Sequence, residues 1–368
     1  MQIKRRHFIR SSFAIGAVTA LYSQYPSLSF ANNLLESEKK AQAKFTLVFA
    51  SPYDSSQSQY TPHMHLEFKQ NIETMSQGKI YVDIQDKGRL GIGTELMAAV
   101  NRGHVSAALI SVSNLSRALP ILDILNIPFW AADNQAYLNL ISSGIWQNLV
   151  LDNIKNKSNL EVLFHYIPGP RTLSTTKNYN KVIKRPEDLN HVVFRVPASK
   201  VLTEYYKMTG ANVVSVPWSE TARLSRIGQI QALDPGFVGL YSGPEQLKSS
   251  IGTVSTISSV QDAWVSVINQ AWLNNLPTEL KLIVKQASEA TFKQHLKSIE
   301  SNTQNCINGL LKAGSKIYQP THNELEIWRV LFGHHQVKWI DVKKQLLGDL
   351  KTFDMLLAAT KQTSDYLI

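Results

Sequence analysis

The chain has 368 residues, a formal charge of +10 and one cysteine, Cys306. A single cysteine excludes an internal disulfide framework, and a modest positive surplus without basic runs interleaved with aromatics excludes a nucleic-acid-binding signature. Residues 1–31 carry four of the Lys/Arg and no acid; setting them aside leaves 337 residues at +6, too long for one ordinary core and suited to two domains.

Lys4 to Arg10 is a basic head with a twin arginine, Arg5-Arg6, followed by a short, weakly apolar stretch from Ser11 to Leu21. Ser29-Phe30-Ala31 offers the small-x-small pattern of a cleavage site. The apolar stretch falls far short of the roughly 20 residues that span a bilayer, so residues 1–31 read as a cleaved signal of the Tat type. No cysteine stands at the junction to carry a lipid. The product, cut after about Ala31, is expected in the periplasm and not embedded in a membrane.

After a polar, helix-prone lead (Asn32 to Ala43), Lys44 to Ala50 reads as a strand, Pro62 to Gly78 as an amphipathic helix and Lys79 to Gln85 as a second strand. A helix over Glu95 to Asn101 leads to Val105–Val112, a near-continuous apolar run of the kind found in a parallel strand covered on both faces. The order β-α-β-α-β predicts α/β architecture with crossover helices. Leu160 to Tyr166 is another strand, and a second α/β set begins near Arg171. Its parts are the Pro186–Leu189 turn, the strand Val192–Pro197, the helix Lys200–Met208 closed at Gly210, the strand Asn212–Val216, a helix opened by Pro217-Trp218-Ser219-Glu220 with Ser219 as N-cap, and a short strand at Ile230–Leu233. Ala263 to Ile268 is apolar again and is expected to return the chain to the first domain. Pro277 to Leu311 predicts a helix of about 50 Å, long enough to be kinked or to brace both lobes. Thr321-His322-Asn323-Glu324 has capping-box form at the head of another helix.

No enzyme constellation is evident. Gly88 to Gly93 lacks the Lys-Ser/Thr of a P-loop and the G-x-G-x-x-G order, and reads as a turn and cap. His63-Met64-His65 and His334-His335 lack the i,i+4 spacing and the acidic companions of a zinc site. No G-x-S-x-G elbow occurs, Glu187-Asp188 reads as a solvated cap, and Cys306 reads as a small buried hydrophobe. No cofactor or metal is expected, and no catalytic residue is assigned. Arg195 is more informative. It lies among Val192, Val193, Phe194, Val196 and Pro197, and a guanidinium cannot shed its proton, so a buried Arg195 needs an anionic partner. An internal salt bridge and a bidentate carboxylate ligand fit the pattern equally. Arg171, in Pro168-Gly169-Pro170-Arg171, reads as a surface arginine from pattern alone, and Trp218 as core filler or pocket wall.

At these residues the chain resembles the substrate-binding subunits of TRAP transporters, the DctP family of extracytoplasmic solute receptors. The resemblance runs in order through Ser76-Gln77-Gly78, Leu90-Gly91, Gly103, Ile127-Pro128-Phe129, Gly169-Pro170-Arg171, Pro186-Glu187-Asp188-Leu189, Phe194-Arg195-Val196-Pro197, Val216-Pro217-Trp218-Ser219-Glu220 and Leu276-Pro277-Thr278-Glu279-Leu280. It implies an α/β, two-lobed fold of the periplasmic-binding-protein type II kind, with an interdomain cleft and a long bracing helix. Lobe I is expected over 32–167 and 262–300, lobe II over 168–261 and 301–368. The implied function is capture of a small organic acid by cleft closure and delivery to TRAP membrane permease subunits, without catalysis. Arg195 would meet the ligand carboxylate, with Arg171 as its companion and Trp218 lining the pocket. The chain departs from the family pattern at His191, where glycine is usual, at Arg226, where glutamine is common, and at Ile230-Gln231-Ala232-Leu233-Asp234, where an Asp-Gly turn is lost. The next position, often a ligand contact, is Pro235, which has no N–H to donate. Asp234 is expected at the ligand or at a cation. The rival readings are a Tat-exported periplasmic enzyme, a receptor for an ABC transporter or sensor kinase, and a scaffold repurposed for a larger or neutral ligand.

Overall fold

The computed structural model describes residues 28–55, 64–364 and 366. The twin-arginine head, His63 and the expected start of the helix at Pro62 lie outside the described residues. A helix runs from Leu28 to Gln42, so the expected cut near Ala31 falls in its first turn. No helix among the described residues is long and apolar enough to cross a membrane.

Eleven strands among the described residues form two sheets, one per lobe. The first sheet holds β1 (Phe45–Ala50), β2 (Ile80–Gln85), β3 (Ala107–Ser111) and β4 (Leu160–Tyr166). The second holds β5 (Leu173–Thr176), β6 (Val193–Val196), β7 (Asn212–Ser215), β8 (Ala232–Leu233) and β9 (Ile251–Ser255). The chain then returns to the first sheet as β10 (Trp264–Asn269) and ends its strands in the second with β11 (Lys316–Tyr318). The spatial orders are β2-β1-β3-β10-β4 and β11-β9-β5-β8-β6-β7. β1, β2 and β3 are parallel, with Met64–Met75 and Thr94–Asn101 as crossover helices, as the alternating apolar pattern predicts. β10 runs antiparallel to both β3 and β4 because it enters from the opposite lobe.

Two segments cross between the lobes, 167–172 and 256–263, and they run side by side. Arg171 N–H donates to Val260 O at 2.8 Å, Asp262 N–H donates to Gly169 O at 3.1 Å, and Pro170 bridges Gln261. The predicted long helix is present and unbroken over Thr278–Lys312, 35 residues. Its Leu280, Val284, Ala287 and Cys306 bury against the first sheet, while Leu310 joins the core under the second. It therefore braces both lobes. Burial pushes the Cys306 thiol up to about 12, so at neutral pH it is an uncharged, small core residue.

Three C-terminal helices, His322–Phe332, Lys338–Leu347 and Leu350–Ala359, form a second brace, and the last two were not foreseen. Trp328 Nε1 donates to Lys184 O at 2.9 Å in the second lobe, whereas Phe353 packs on Trp130, 5.1 Å between ring centroids, in the first. Thr321 and Glu324 form the expected capping box, their reciprocal bonds measuring 3.3 and 2.8 Å. Ser219 is not an N-cap: the helix starts one residue earlier, over Trp218–Arg226, with Pro217 holding the cap position in extended backbone. His191 adopts φ +60°, the left-handed conformation that the glycine usual at this position takes without strain.

Asp123 ties the lobes together at a point the sequence reading passed over. Its Oδ2 accepts from the backbone N–H of Lys200 at 3.0 Å and of Val201 at 3.2 Å, and its Oδ1 accepts from Ser199 Oγ at 2.5 Å. A carboxylate of the first lobe thus satisfies the N-terminus of the Lys200–Met208 helix in the second, favoured also by the helix dipole. Asp123→Ala is expected to cost about 2–3 kcal/mol in urea unfolding. Asp123→Asn should recover part of that, and a loss below about 0.5 kcal/mol would refute the tie.

Two buried histidines set an acid limit. His165 accepts from Trp146 Nε1 at 3.3 Å and pairs with Tyr137 Oη at 3.0 Å, while His295 Nε2 accepts from Ile167 N–H at 2.9 Å. Burial pushes both imidazoles down to about 3. The unfolded chain, with histidines near 6.5, then binds more protons between about pH 6.5 and 3. Their contribution is complete above pH 6.5 and is lost as pH falls through that window, at about 1.4 kcal/mol per pH unit for each. Urea midpoints at pH 7 and pH 5 should separate clearly, and His165→Gln should flatten the dependence.

Candidate ligand-binding site

Both arginines singled out in the sequence reach one cavity where the crossing segments meet the two sheets. Its wall is formed by Ser111 and Asn114 from the end of β3, Arg171 and Asp262 from the two crossing segments, Arg195 and Pro197 from β6, Trp218, Pro235 and Gly239, and Trp264 from β10. The open space is about 20 Å³, room for roughly one water. The lobes are thus closed on each other, and an organic molecule enters only as they part.

Arg195 is placed by β6, which pairs in parallel with both β7 and β8 and so sits in the middle of its sheet end. The guanidinium is buried, but no carboxylate among the described residues lies within ion-pair distance. Its Nε and Nη2 both donate to Val216 O, at 3.0 and 2.8 Å, and its Cζ lies 5.1 Å from the ring centre of Trp218. Burial, with repulsion from Arg171 added, pushes Arg195 down to about 10, which still leaves it charged at neutral pH. The internal salt bridge that the apolar strand context allowed does not form.

Arg171 is buried rather than at the surface, because the Gly-Pro turn before it is a crossing segment running through the joint. Its Nη1 meets Asp234 Oδ1 at 3.3 Å, and its Nη2 meets Asp262 Oδ1 at 3.0 Å and Ser113 Oγ at 3.0 Å. Burial opposes its charge, yet Asp262 and then Asp234 outweigh burial and hold the guanidinium above its usual value. Asp262 also accepts from Trp264 Nε1 at 3.3 Å and, through Oδ2, from Gly236 N–H at 3.0 Å. That approach needs a glycine, since a Cβ on Gly236 would stand 3.0 Å from Pro170 O. Asp262 is the site residue that sequence reasoning missed. Its only signal was a lone acid just ahead of the apolar run of β10.

Asp234 is fully buried behind Arg171 and does not reach the cavity wall. Burial raises its carboxyl above the ordinary range, against the lowering effect of Arg171 and Arg195. Pro235 is on the wall and turns its carbonyl to Thr172 Oγ1 at 2.8 Å. Arg226 lies outside the site, paired with Glu245 at 2.7 Å on the surface. Three buried polar atoms of the cluster have no hydrogen-bond partner among the described residues: Arg171 Nε, Trp218 Nε1 and Asp234 Oδ2. Unsatisfied buried donors are costly and mark places for a bound polar group or water.

Two α/β lobes, crossing segments between them and a charged cavity at the joint define a hinged solute-binding protein. The chain belongs to the DctP family, bacterial extracellular solute-binding protein family 7, whose pattern matches residues 52–334. It is 24% identical over 254 residues to the C4-dicarboxylate-binding periplasmic protein DctP of Vibrio cholerae, covering 68% of this chain and 73% of that one. Its fold matches the sugar acid binding protein DctPAm from Advenella mimigardefordensis, solved in complex with galactonate, with a TM-score of 0.78 at 17% identity, covering 87% of this chain and 98% of that one. A TRAP periplasmic solute binding protein from Shewanella oneidensis with bound succinate matches with a TM-score of 0.77 at 20% identity, covering 86% and 99%.

Proposed function

We propose that this chain is the extracytoplasmic receptor of a TRAP transporter, binding a small carboxylate between its lobes and passing it to a membrane permease without chemistry. The observation that carries the reading is Arg195, a buried guanidinium on the cavity wall whose only hydrogen-bond acceptor among the described residues is one backbone carbonyl. Arg195 anchors the ligand carboxylate, Trp218 forms the adjoining wall and supplies an indole N–H, and Pro235 closes the side where a backbone donor is lost. Arg171 acts through Asp234 and Asp262 to fix the joint on which the lobes turn. Ligand binding favours closure only as far as the closed state binds better than the open one, and exclusion of water strengthens the pairing. Membership of the DctP family and relatives named for carboxylate binding support this reading. Native mass spectrometry of protein purified without refolding tests it. A retained carboxylate that disappears in Arg195→Ala is the expected result, and a retained ligand without a carboxyl group would sink it.

A further inference from the structure

Charge balance in the cavity narrows the ligand class, on the footing that the carboxylate reading of Arg195 holds. Four ionisable side chains cluster at the joint, Arg171, Arg195 and Asp262 on the cavity wall and Asp234 behind Arg171, each no more than 4% exposed. Arg171 touches both carboxylates, so its charge and one of theirs cancel directly. The second carboxylate balances Arg195 at longer range. The cluster is therefore electroneutral before any ligand arrives. A simple carboxylate would leave the buried cluster with one net negative charge, and a dicarboxylate with two. Burying net charge costs several kcal/mol per unit, even beside a favourable partner.

We propose that the captured molecule is a zwitterion, its carboxylate on Arg195 and its ammonium group at Asp262. Both charged groups are on hand: Arg195 and Asp262 line the same cavity, and Asn114 adds a polar amide. Asp262 has taken three hydrogen bonds, from Arg171, Trp264 and Gly236, against about four acceptor positions on a carboxylate, so one remains for an ammonium donor.

The test is calorimetric titration and thermal shift at low salt with three probe sets: glycine betaine, L-proline and β-alanine; propionate, isobutyrate and D-galactonate; succinate and L-malate. At least one zwitterion is expected to bind ten-fold or more tighter than every simple acid in the panel. Asp262→Asn, which keeps an acceptor for Arg171 but makes the cavity net positive, should narrow or invert that preference. Its circular dichroism and unfolding midpoint check that the fold is retained. Simple acids binding as tightly as zwitterions to the unsubstituted protein would overturn this inference and leave the receptor reading standing. Failure of all three sets, with Arg195→Ala behaving as the parent protein, would overturn both.

Discussion

Arg195→Ala is expected to abolish ligand-induced thermal stabilisation while leaving the ligand-free protein folded. A buried charge-assisted pair loses about 2–5 kcal/mol when one partner is truncated, roughly 30-fold to several thousand-fold in affinity. The ligand-free protein loses less. Arg195 has no carboxylate within ion-pair distance among the described residues, so removing it discards a desolvated charge together with two hydrogen bonds to Val216 O and the contact with Trp218. These terms partly offset one another, but one buried carboxylate loses its longer-range counter-charge, so the ligand-free variant should lose up to about 3 kcal/mol in unfolding free energy and remain folded. Arg195→Lys separates charge from geometry: a lysine ammonium keeps the positive charge but cannot hold a carboxylate in two parallel bonds, so it should restore only part of the affinity. Equal ligand-induced shifts in the parent and in Arg195→Ala would remove Arg195 from the binding role.

The α/β order was legible because several strands are largely apolar segments bounded by turn residues, β3 being a near-continuous apolar run that is buried along its whole length. Arg195 was legible for the same reason, as one charge inside such a run. The identical signal marks Asp123, in Ile121-Leu122-Asp123-Ile124-Leu125, and would have led to the Ser199 cap had it been weighed in the same way. Asp262 gave less away. It stands between Gln261 and Ala263, where an acid reads as loop polarity, and its meaning arises only when the crossing segments bring it beside Arg171. Arg171 misled from pattern alone because a Gly-Pro turn usually lies at the surface, whereas here it threads the joint between lobes. Local pattern reports which side chains are stranded in apolar context; partners that meet only through tertiary crossing leave almost no local trace.

Arg171→Ala should behave in the opposite way from Arg195→Ala. It leaves Asp234 and Asp262 buried without their shared cation, and removing one member of a buried ionic cluster costs about 3–5 kcal/mol. The variant is therefore expected to lose much of its stability in urea whether or not ligand is present. Two further measurements tie that loss to the carboxylates. Asp262→Asn in the same chain removes one uncompensated charge and should recover at least about 1.5 kcal/mol. Acidification should also narrow the gap to the parent protein. Burial already raises the Asp234 carboxyl, so without Arg171 it binds protons more readily folded than unfolded, and its penalty is full at high pH and fades as pH falls through its raised value. The two buried histidines held down at about 3 destabilise both proteins alike over this range and so cancel from the gap. A gap that stays constant from pH 7 to pH 5, or a double variant no more stable than Arg171→Ala, would show that Arg171 contributes packing rather than charge to the joint on which the lobes close.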